Sequence, residues 1–412
     1  MTRNDIIKAA FKVWGRELYR TTSLTEIAQE LGVSKAALYR HFKDKDALLE
    51  AMYPIYFDDC ASFIKSGCEK AASAASDRET HLILVRTFAE YYIRKKEAFV
   101  FSLVRVYNSK DKQNVAEEFL ARGINFEYMI RRKTIDAAYP STIQLIMATM
   151  VLCVAIFHRK NNNSGETQTE ETINHALAEI EDRIVKGLKL NASRIAALDF
   201  QALEQQAAGT VYDETESNAL LRAVAEAVAE AGPWDASMEM VAKRSGLSKS
   251  GLYAHFKNKQ DMLDQLFITE FSRIVSFAKV QLETSRIPEA QLYLAIISIV
   301  YYLRSRPEIL VAIEWIKTRR LELGEGISTR ISQTIASIKM EAVQRLDPHM
   351  LLEVAQWILF MIVNTLAWWP SKTDDNCTDR NIEWAKNTKE ITNESFRFLF
   401  RFIALGLEDL NQ

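Results

Sequence analysis

Gly32-Val33-Ser34-Lys35-Ala36-Ala37-Leu38-Tyr39-Arg40-His41-Phe42-Lys43-Asp44-Lys45 is written twice in this chain, the second time with few changes. Gly246-Leu247-Ser248-Lys249-Ser250-Gly251-Leu252-Tyr253-Ala254-His255-Phe256-Lys257-Asn258-Lys259 repeats it without a gap, at a constant offset (246 − 32 = 214). From Gly32 to Lys43, eight of twelve positions are identical in the second copy. A repeat sets the architecture before any local reading does. Here the offset is about half of the 412 residues, so one whole domain is present twice.

Each copy reads as the second half of a helix-turn-helix. Ser23-Leu24-Thr25-Glu26 places serine three residues before glutamate, a capping box that opens a short helix with Ile27, Ala28 and Leu31 facing inward. Gly32 ends that helix where positive φ is cheap, and Val33 fills the corner. Ser34 caps the next helix, and Leu38 and Phe42, four apart, share its buried face. Lys35, Ala36, Ala37, Tyr39 and His41 are left on the outer side. Small residues in a first turn let a backbone approach base edges, and lysine, tyrosine and histidine can reach phosphate oxygens. Asp44 or Asn258 caps a further helix whose first turn holds Lys45 or Lys259. A cation there opposes the helix dipole, and makes sense if a phosphate arrives at that end.

Both copies resemble the DNA-binding domain of the TetR family of transcriptional regulators, over about residues 5–52 and 216–266. The glycine turn, the Leu-Tyr-x-His-Phe-Lys-x-Lys run and the preceding helix all fall in register. The resemblance implies an all-α fold of two tandem units, each a three-helix DNA-binding domain followed by a helical ligand-binding and dimerisation body. The expected organisation is a first helix-turn-helix domain at 1–52, a first body at 53–190, a linker at 191–215, a second helix-turn-helix domain at 216–266 and a second body at 267–412. The candidate DNA contacts are Thr25, Lys35, Ala36, Ala37, Tyr39, His41 and Lys45, and in the second copy Glu239, Lys249, Ser250, Gly251, Tyr253, His255 and Lys259.

The two heads are unequal. Thr25 becomes Glu239, Ala36-Ala37 becomes Ser250-Gly251, and Arg40 becomes Ala254. Residues 1–50 hold nine Lys/Arg against seven Asp/Glu (9 − 7 = +2), whereas residues 216–264 hold six against seven (6 − 7 = −1). Phosphate contacts supply most salt-dependent affinity, so the first head should bind more strongly. Glu239 would repel a phosphate or accept a bond from a cytosine amino group.

In the first body, Leu145 to Phe157 is an apolar run of thirteen residues, shorter than the roughly 18 a membrane span needs, and reads as a buried helix. Pro54 is a place for a kink in the helix leaving the first head. Tyr91-Tyr92-Ile93-Arg94 has an echo in Tyr301-Tyr302-Leu303-Arg304 (301 − 91 = 210), so the duplication runs through the bodies. Each body should close on two long helices, 141–158 with 170–190 and 349–369 with 388–407, each pair separated by a polar stretch. In the resembled family such helices pair between subunits as a four-helix bundle. Residues 191–218 read as a partly helical tether reaching roughly 50 Å if largely extended or helical.

A chain with both heads and both closing pairs suggests a single-chain pseudodimer on one double-stranded DNA operator with unlike half-sites. A homodimer of chains is the alternative. Regulators of the resembled family usually respond to a small-molecule effector, and the candidate contacts for one are Tyr91, Phe99 and Tyr107, then Tyr301, Glu314, Trp315 and Trp357. An aromatic stripe at helical spacing is more often core than ligand cage.

The composition, 48% hydrophobic and 26% charged with a formal net charge of −2, is that of a globular chain. Met1-Thr2-Arg3-Asn4-Asp5 leads directly into an amphipathic helix rather than a secretory signal, with Arg3 a candidate arm along a phosphate or groove. Cys60, Cys68, Cys153 and Cys377 lack metal or redox spacing and read as free thiols in a reducing cytoplasm. No nucleophile–base set, phosphate-cradling glycine loop or metal spacing is evident, so neither catalysis nor a cofactor is expected. The competing class is an interaction or ligand-binding protein in which the second head, or both, no longer holds DNA.

Overall fold

The computed structural model describes residues 2–16, 24–106, 115–126, 142–164, 168–209, 219–317, 348–368, 391–408 and 410. Among these the regular structure is helical, with no strand. The helices fall into two compact units. One comprises residues 1–134 and 153–181, the other 135–152 and 182–412.

In the first unit, α1 (Arg3–Arg16), α2 (Leu24–Glu30) and α3 (Lys35–Tyr39) form the head, and α4 (Lys45–Ala72), α5 (Asp77–Arg94), α6 (Lys96–Phe101) and α7 (Val115–Leu120) follow. A short π-helical turn over Ser102–Val106 continues α6. Asp44 starts α4 by accepting from the Ala47 amide at 2.7 Å. Leu48, Leu49, Met52, Tyr56, Phe57, Cys60, Ile64 and Cys68 then recur at helical spacing and are buried. That stripe carries the helix through Pro54, the place marked for a kink, as one helix from Lys45 to Ala72. Phe101 of α6 joins head to body: its ring lies 5.1 Å from Phe11 of α1 and 5.2 Å from Tyr53 of α4.

Helices α8 (Thr142–Ser164) and α9 (Glu170–Lys186) each give one end to each unit. Helix α8 runs on through Asn161 and Asn162, where a loop was expected. Over Thr142–Asn162 it is long and apolar enough, by length and composition, to cross a membrane, and half of that window is buried inside the protein. The thirteen-residue apolar run is therefore only the centre of a longer apolar helix.

The stretch read as a partly helical tether lies within the second unit and is packed into it. Residues 192–208 fold as α10 (Ala192–Ala196) and α11 (Phe200–Ala208), with Ile195, Glu204 and Ala207 buried. There follow α12 (Ala219–Asp235), α13 (Met238–Ser245), α14 (Lys249–His255), α15 (Lys259–Leu282), α16 (Pro288–Ser305), α17 (Pro307–Lys317), α18 (Pro348–Trp368) and α19 (Asn393–Leu405). Helix α16 is buried on every side over residues 289–300, with Leu292, Leu294, Ile296, Ile297 and Val300 beside the polar Glu289, Gln291 and Ser298. A helix of that kind must be surrounded on all sides.

Helix α11 is fastened to α16 and α19 by one buried carboxylate. Glu204 accepts from the Tyr293 hydroxyl at 2.5 Å, from Arg397 Nε and Nη2 at 2.7 and 3.0 Å, and from Asn393 Nδ2 at 3.1 Å. Phe200 supports the arrangement with its ring 4.8 Å from Tyr293, edge to face. A linker buried in this way is part of the second unit's core, not a free spacer.

Within the same unit, the chain after α9 meets the chain after α19 through reciprocal backbone bonds. Leu188 N donates to Ile403 O at 2.9 Å, and Leu407 N donates to Ile184 O at 3.0 Å. Both partners differ by the same offset (407 − 188 = 219, 403 − 184 = 219). Gly187 and Gly406 make this approach possible. A Cβ on Gly187 would lie 2.5 Å from Ile403 O, and one on Gly406 would lie 2.3 Å from Val185 O. Both have positive φ, +54° and +67°. Nearby in sequence to the other closing helices, Trp357 of α18 donates Nε1–H to Thr149 Oγ1 of α8 at 3.0 Å.

Candidate nucleic-acid interface

The two heads are built by the same local rules. In each, the second helix ends at a glycine with φ near +70° (Gly32 +66°, Gly246 +70°), and neither would meet anything within 4 Å on gaining a Cβ. The following residue bonds back five positions, Val33 N to Ala28 O at 2.9 Å and Leu247 N to Ala242 O at 3.1 Å, which closes the turn. A serine then caps the next helix: Ser34 Oγ accepts from Ala37 N at 3.3 Å, and Ser248 Oγ from Gly251 N at 3.0 Å. Leu38 and Leu252 are fully buried beneath, with Phe42 and Phe256 beside them. Ser23, the expected cap of α2, lies outside the described residues; its counterpart Ser237 accepts from Met240 N at 3.2 Å.

The outward side chains follow from that burial. Lys35, Ala36, Tyr39 and His41 are exposed in the first head, and Lys249, Ser250, Tyr253 and His255 in the second; Ala37, Gly251 and Thr25 are half-buried. Tyr39 and Tyr253, 46% and 48% exposed, are large aromatic groups that the core has not taken. A short helix offering a capped N-terminus, small first-turn residues, a lysine and a tyrosine can lie against a duplex groove.

Several side chains have partners that the sequence did not suggest. Arg3 is the first residue of α1, not an arm ahead of it, and its guanidinium stands 4.8 Å from the Phe42 ring centre. Lys45 lies 5.3 Å from the Trp14 ring centre, so its place in the first turn of α4 has a structural reason besides any phosphate. Lys35 lies 5.8 Å from the ring of Tyr39.

The largest difference between the heads is at Glu239. Its carboxylate is bound by the ammonium of Lys249 across the helix-turn-helix corner. The hydrogen bond from Lys249 holds the Glu239 carboxyl below its ordinary range, and the carboxylate raises Lys249 in turn. Ser248 and Ser250 hydroxyls are also paired, at 3.0 Å. The head-internal clasp is reversed in sign: Lys12 pairs with Glu30 in the first head, whereas Glu230 pairs with Arg244 in the second, and Arg244 stands where Glu30 does (30 + 214 = 244).

The candidate effector residues are scattered through packed surroundings. Tyr91 is fully buried and donates to Asp59 Oδ2 at 3.0 Å, and Asp59 Oδ1 accepts from Lys95 at 2.5 Å. Phe99 is fully buried, 5.4 Å from Tyr92 and 5.7 Å from His158. Tyr301 accepts from Asn393 at 2.9 Å, next to the Glu204 network, while Trp357 bonds Thr149 elsewhere in the unit. Tyr107 lies outside the described residues. Glu314 and Trp315 belong to α17, but their side chains are likewise outside. The bodies differ in polarity at one equivalent place: Tyr56 and Tyr92 share a hydroxyl bond of 2.9 Å in the first, whereas in the second Tyr302 donates to the buried carboxylate of Glu270 at 2.7 Å. Of the described cysteines, Cys60 and Cys68 are buried on α4, and burial pushes both thiols up, Cys68 to about 12, which keeps them protonated and poorly reactive.

The family model described as bacterial regulatory proteins, tetR family, matches residues 6–52 and again 220–266. Among curated proteins, the chain is 24% identical over 195 residues to the uncharacterized HTH-type transcriptional regulator YerO of Bacillus subtilis, covering 46% of this chain and 66% of that protein. It is 37% identical over 54 residues to the HTH-type transcriptional regulator AcrR of Shigella flexneri, covering 13% of this chain and 25% of the relative. The chain therefore spans two thirds or less of the length of these relatives. Among solved structures, the transcriptional regulator FadR of Bacillus subtilis in complex with stearoyl-CoA aligns with 45% of this chain and 97% of its own, at 17% identity and a TM-score of 0.33, a likeness too slight to carry an argument.

Proposed function

With two DNA-binding domains of the tetR family of bacterial regulatory proteins in one chain, the protein is, we propose, a sequence-specific transcriptional regulator that grips one operator with both heads. The observation that carries this reading is the pair of capped, outward-facing helices that present Lys35 with Tyr39 and Lys249 with Tyr253. Helix-turn-helix regulators place two such helices one turn of duplex apart, about 34–36 Å.

The chain supplies both heads itself, as a single-chain pseudodimer. This is supported by the reciprocal bonds of Leu188 with Ile403 and Leu407 with Ile184, since a surface on which i meets j and the counterpart of j meets that of i is the signature of a two-fold. Fusion makes engagement of the second head intramolecular and raises its effective concentration. The operator has unlike half-sites, because the exposed residues of the heads differ. Its occupancy represses transcription, and a small molecule that favours the unbound arrangement of the bodies releases it.

Mobility shift with genomic fragments at low and high salt tests the reading. Binding that falls steeply with salt is expected, and sequencing the retained fragments reports the operator. Absence of any shift would favour the second reading, an interaction protein, for which the masked Lys249 is the specific observation. Light scattering near 47.1 kDa supports the pseudodimer, and a value near twice that supports a homodimer of chains.

A further inference from the structure

Glu239 occupies the position of Thr25 (25 + 214 = 239), and Lys249 that of Lys35 (35 + 214 = 249). The two heads therefore present the same lysine at the start of the same helix, and in the second a carboxylate across the corner pairs with it, where the first has threonine at the equivalent position. Glu239 is the second residue of α13 and Lys249 the first of α14, so the turn itself brings them together. Both side chains remain more than half exposed, at 62% and 54%. The pair sits on the outward surface, not in the core, and packing does not require it.

We propose that Glu239 is a specificity-determining residue that withholds Lys249 from the DNA backbone, so that the second head discriminates against non-cognate duplex. This rests on the DNA-binding reading above. On arbitrary sequence the ammonium is already neutralised within the head, and moving it to a phosphate exposes a carboxylate to the same negative backbone. The second head then contributes no lysine contact at this position, and its hold depends on what base edges return. Where a half-site presents a cytosine amino group to α13, Glu239 gains an alternative partner and Lys249 is released to a phosphate. Base recognition and backbone contact are thus coupled through one ion pair. The first head, with threonine at the equivalent position, lacks that coupling and supplies the sequence-independent grip. The Ser248–Ser250 hydroxyl pair at 3.0 Å acts in the same direction, because it occupies one hydroxyl donor beside Lys249 within the head.

The test uses the full chain, a fluorescent duplex of mixed sequence, and salt titrations of Glu239→Thr, Lys249→Ala and the double variant beside wild type. One freed lysine adds a phosphate contact, which steepens the slope of log K against log salt by about 0.9. Between 50 and 200 mM salt that is an additional loss of about 3.5-fold (roughly 4 raised to 0.9). Glu239→Thr should therefore bind mixed-sequence DNA more tightly at low salt and with a steeper slope, and Lys249→Ala in that background should cancel the gain. If the gain survives Lys249→Ala, Glu239 acts only by its own repulsion and the masking is refuted. If wild type binds with a normal salt slope and Glu239→Thr is indistinguishable from it, the proposal fails while the DNA-binding reading stands. If no variant binds any duplex at any salt, the DNA-binding reading fails and takes this proposal with it.

Discussion

His158 should make the first unit lose stability in mild acid, by an amount that can be worked from its surroundings. The ring is 2% exposed on α8, between Phe99 and Phe157 at 5.7 and 5.6 Å, with Nε2 at 2.9 Å from Tyr92 O. A carbonyl only accepts, so Nε2 carries the hydrogen. Burial lowers the pKa from 6.5 to about 4, the Tyr92 carbonyl partly opposes this, and the Lys96 charge adds to the lowering. The folded ring stays neutral while the unfolded one takes a proton below 6.5. Stability is thus fully present above that value, is lost as pH falls towards 4, and changes no further below it. At about 1.4 kcal/mol per pKa unit, the loss between pH 7 and pH 5 is roughly 2 kcal/mol from this residue. Urea unfolding of wild type and His158→Gln at both pH values measures it. Glutamine keeps an N–H for Tyr92 O and loses ring contacts equally at both pH values. Only the titration differs, and wild type should lose roughly 2 kcal/mol more than the variant. Equal losses, or a His158 ring signal titrating near 6.5 by NMR, would refute the reasoning.

Other outcomes follow from the same contacts. Glu204→Ala leaves the Tyr293 hydroxyl and Arg397 without their acceptor in a largely buried place; since Arg397 remains 31% exposed, the expected loss is on the order of 2–3 kcal/mol rather than the full cost of breaking a buried pair. Calorimetry should show it, and the amides of α10 and α11 should exchange faster. Gly187→Ala drives a methyl against Ile403 O and Gly406 N, backbone atoms that cannot turn aside, and should cost about 2–4 kcal/mol; Gly246→Ala meets nothing within 4 Å and should cost about 1 kcal/mol from its positive φ alone. Chemical denaturation of the two variants side by side checks the ranking. A perfect palindrome made from either half of the natural operator should bind more weakly than the natural site, by about 1–3 kcal/mol for each base pair that a head reads wrongly. Equal binding by competition titration would mean that the heads read alike.

What the residues in order determined is local. The serine caps of α3 and α14, the asparagine and aspartate caps of α15 and α4, and the glycine turns all involve partners within five residues. Their geometry is therefore a property of the pattern itself. The exposed face of each head follows, because a helix with one buried stripe must turn the remainder outward. Even the crossing at Gly187 and Gly406 had a trace, since Gly-Leu recurs at 187–188 and 406–407. What only the tertiary structure decided involves partners far apart or across a corner. Lys249 reaches Glu239 ten residues away because the turn folds α14 back on α13, and a phosphate-seeking lysine becomes a paired one. Glu204 falls in the stretch read as a partly helical tether, yet Arg397, 193 residues on, and Tyr293 make its burial tolerable. Spacing along a helix reports which side chains share a face. Which charge meets that face depends on where the rest of the chain returns, and no periodicity records it.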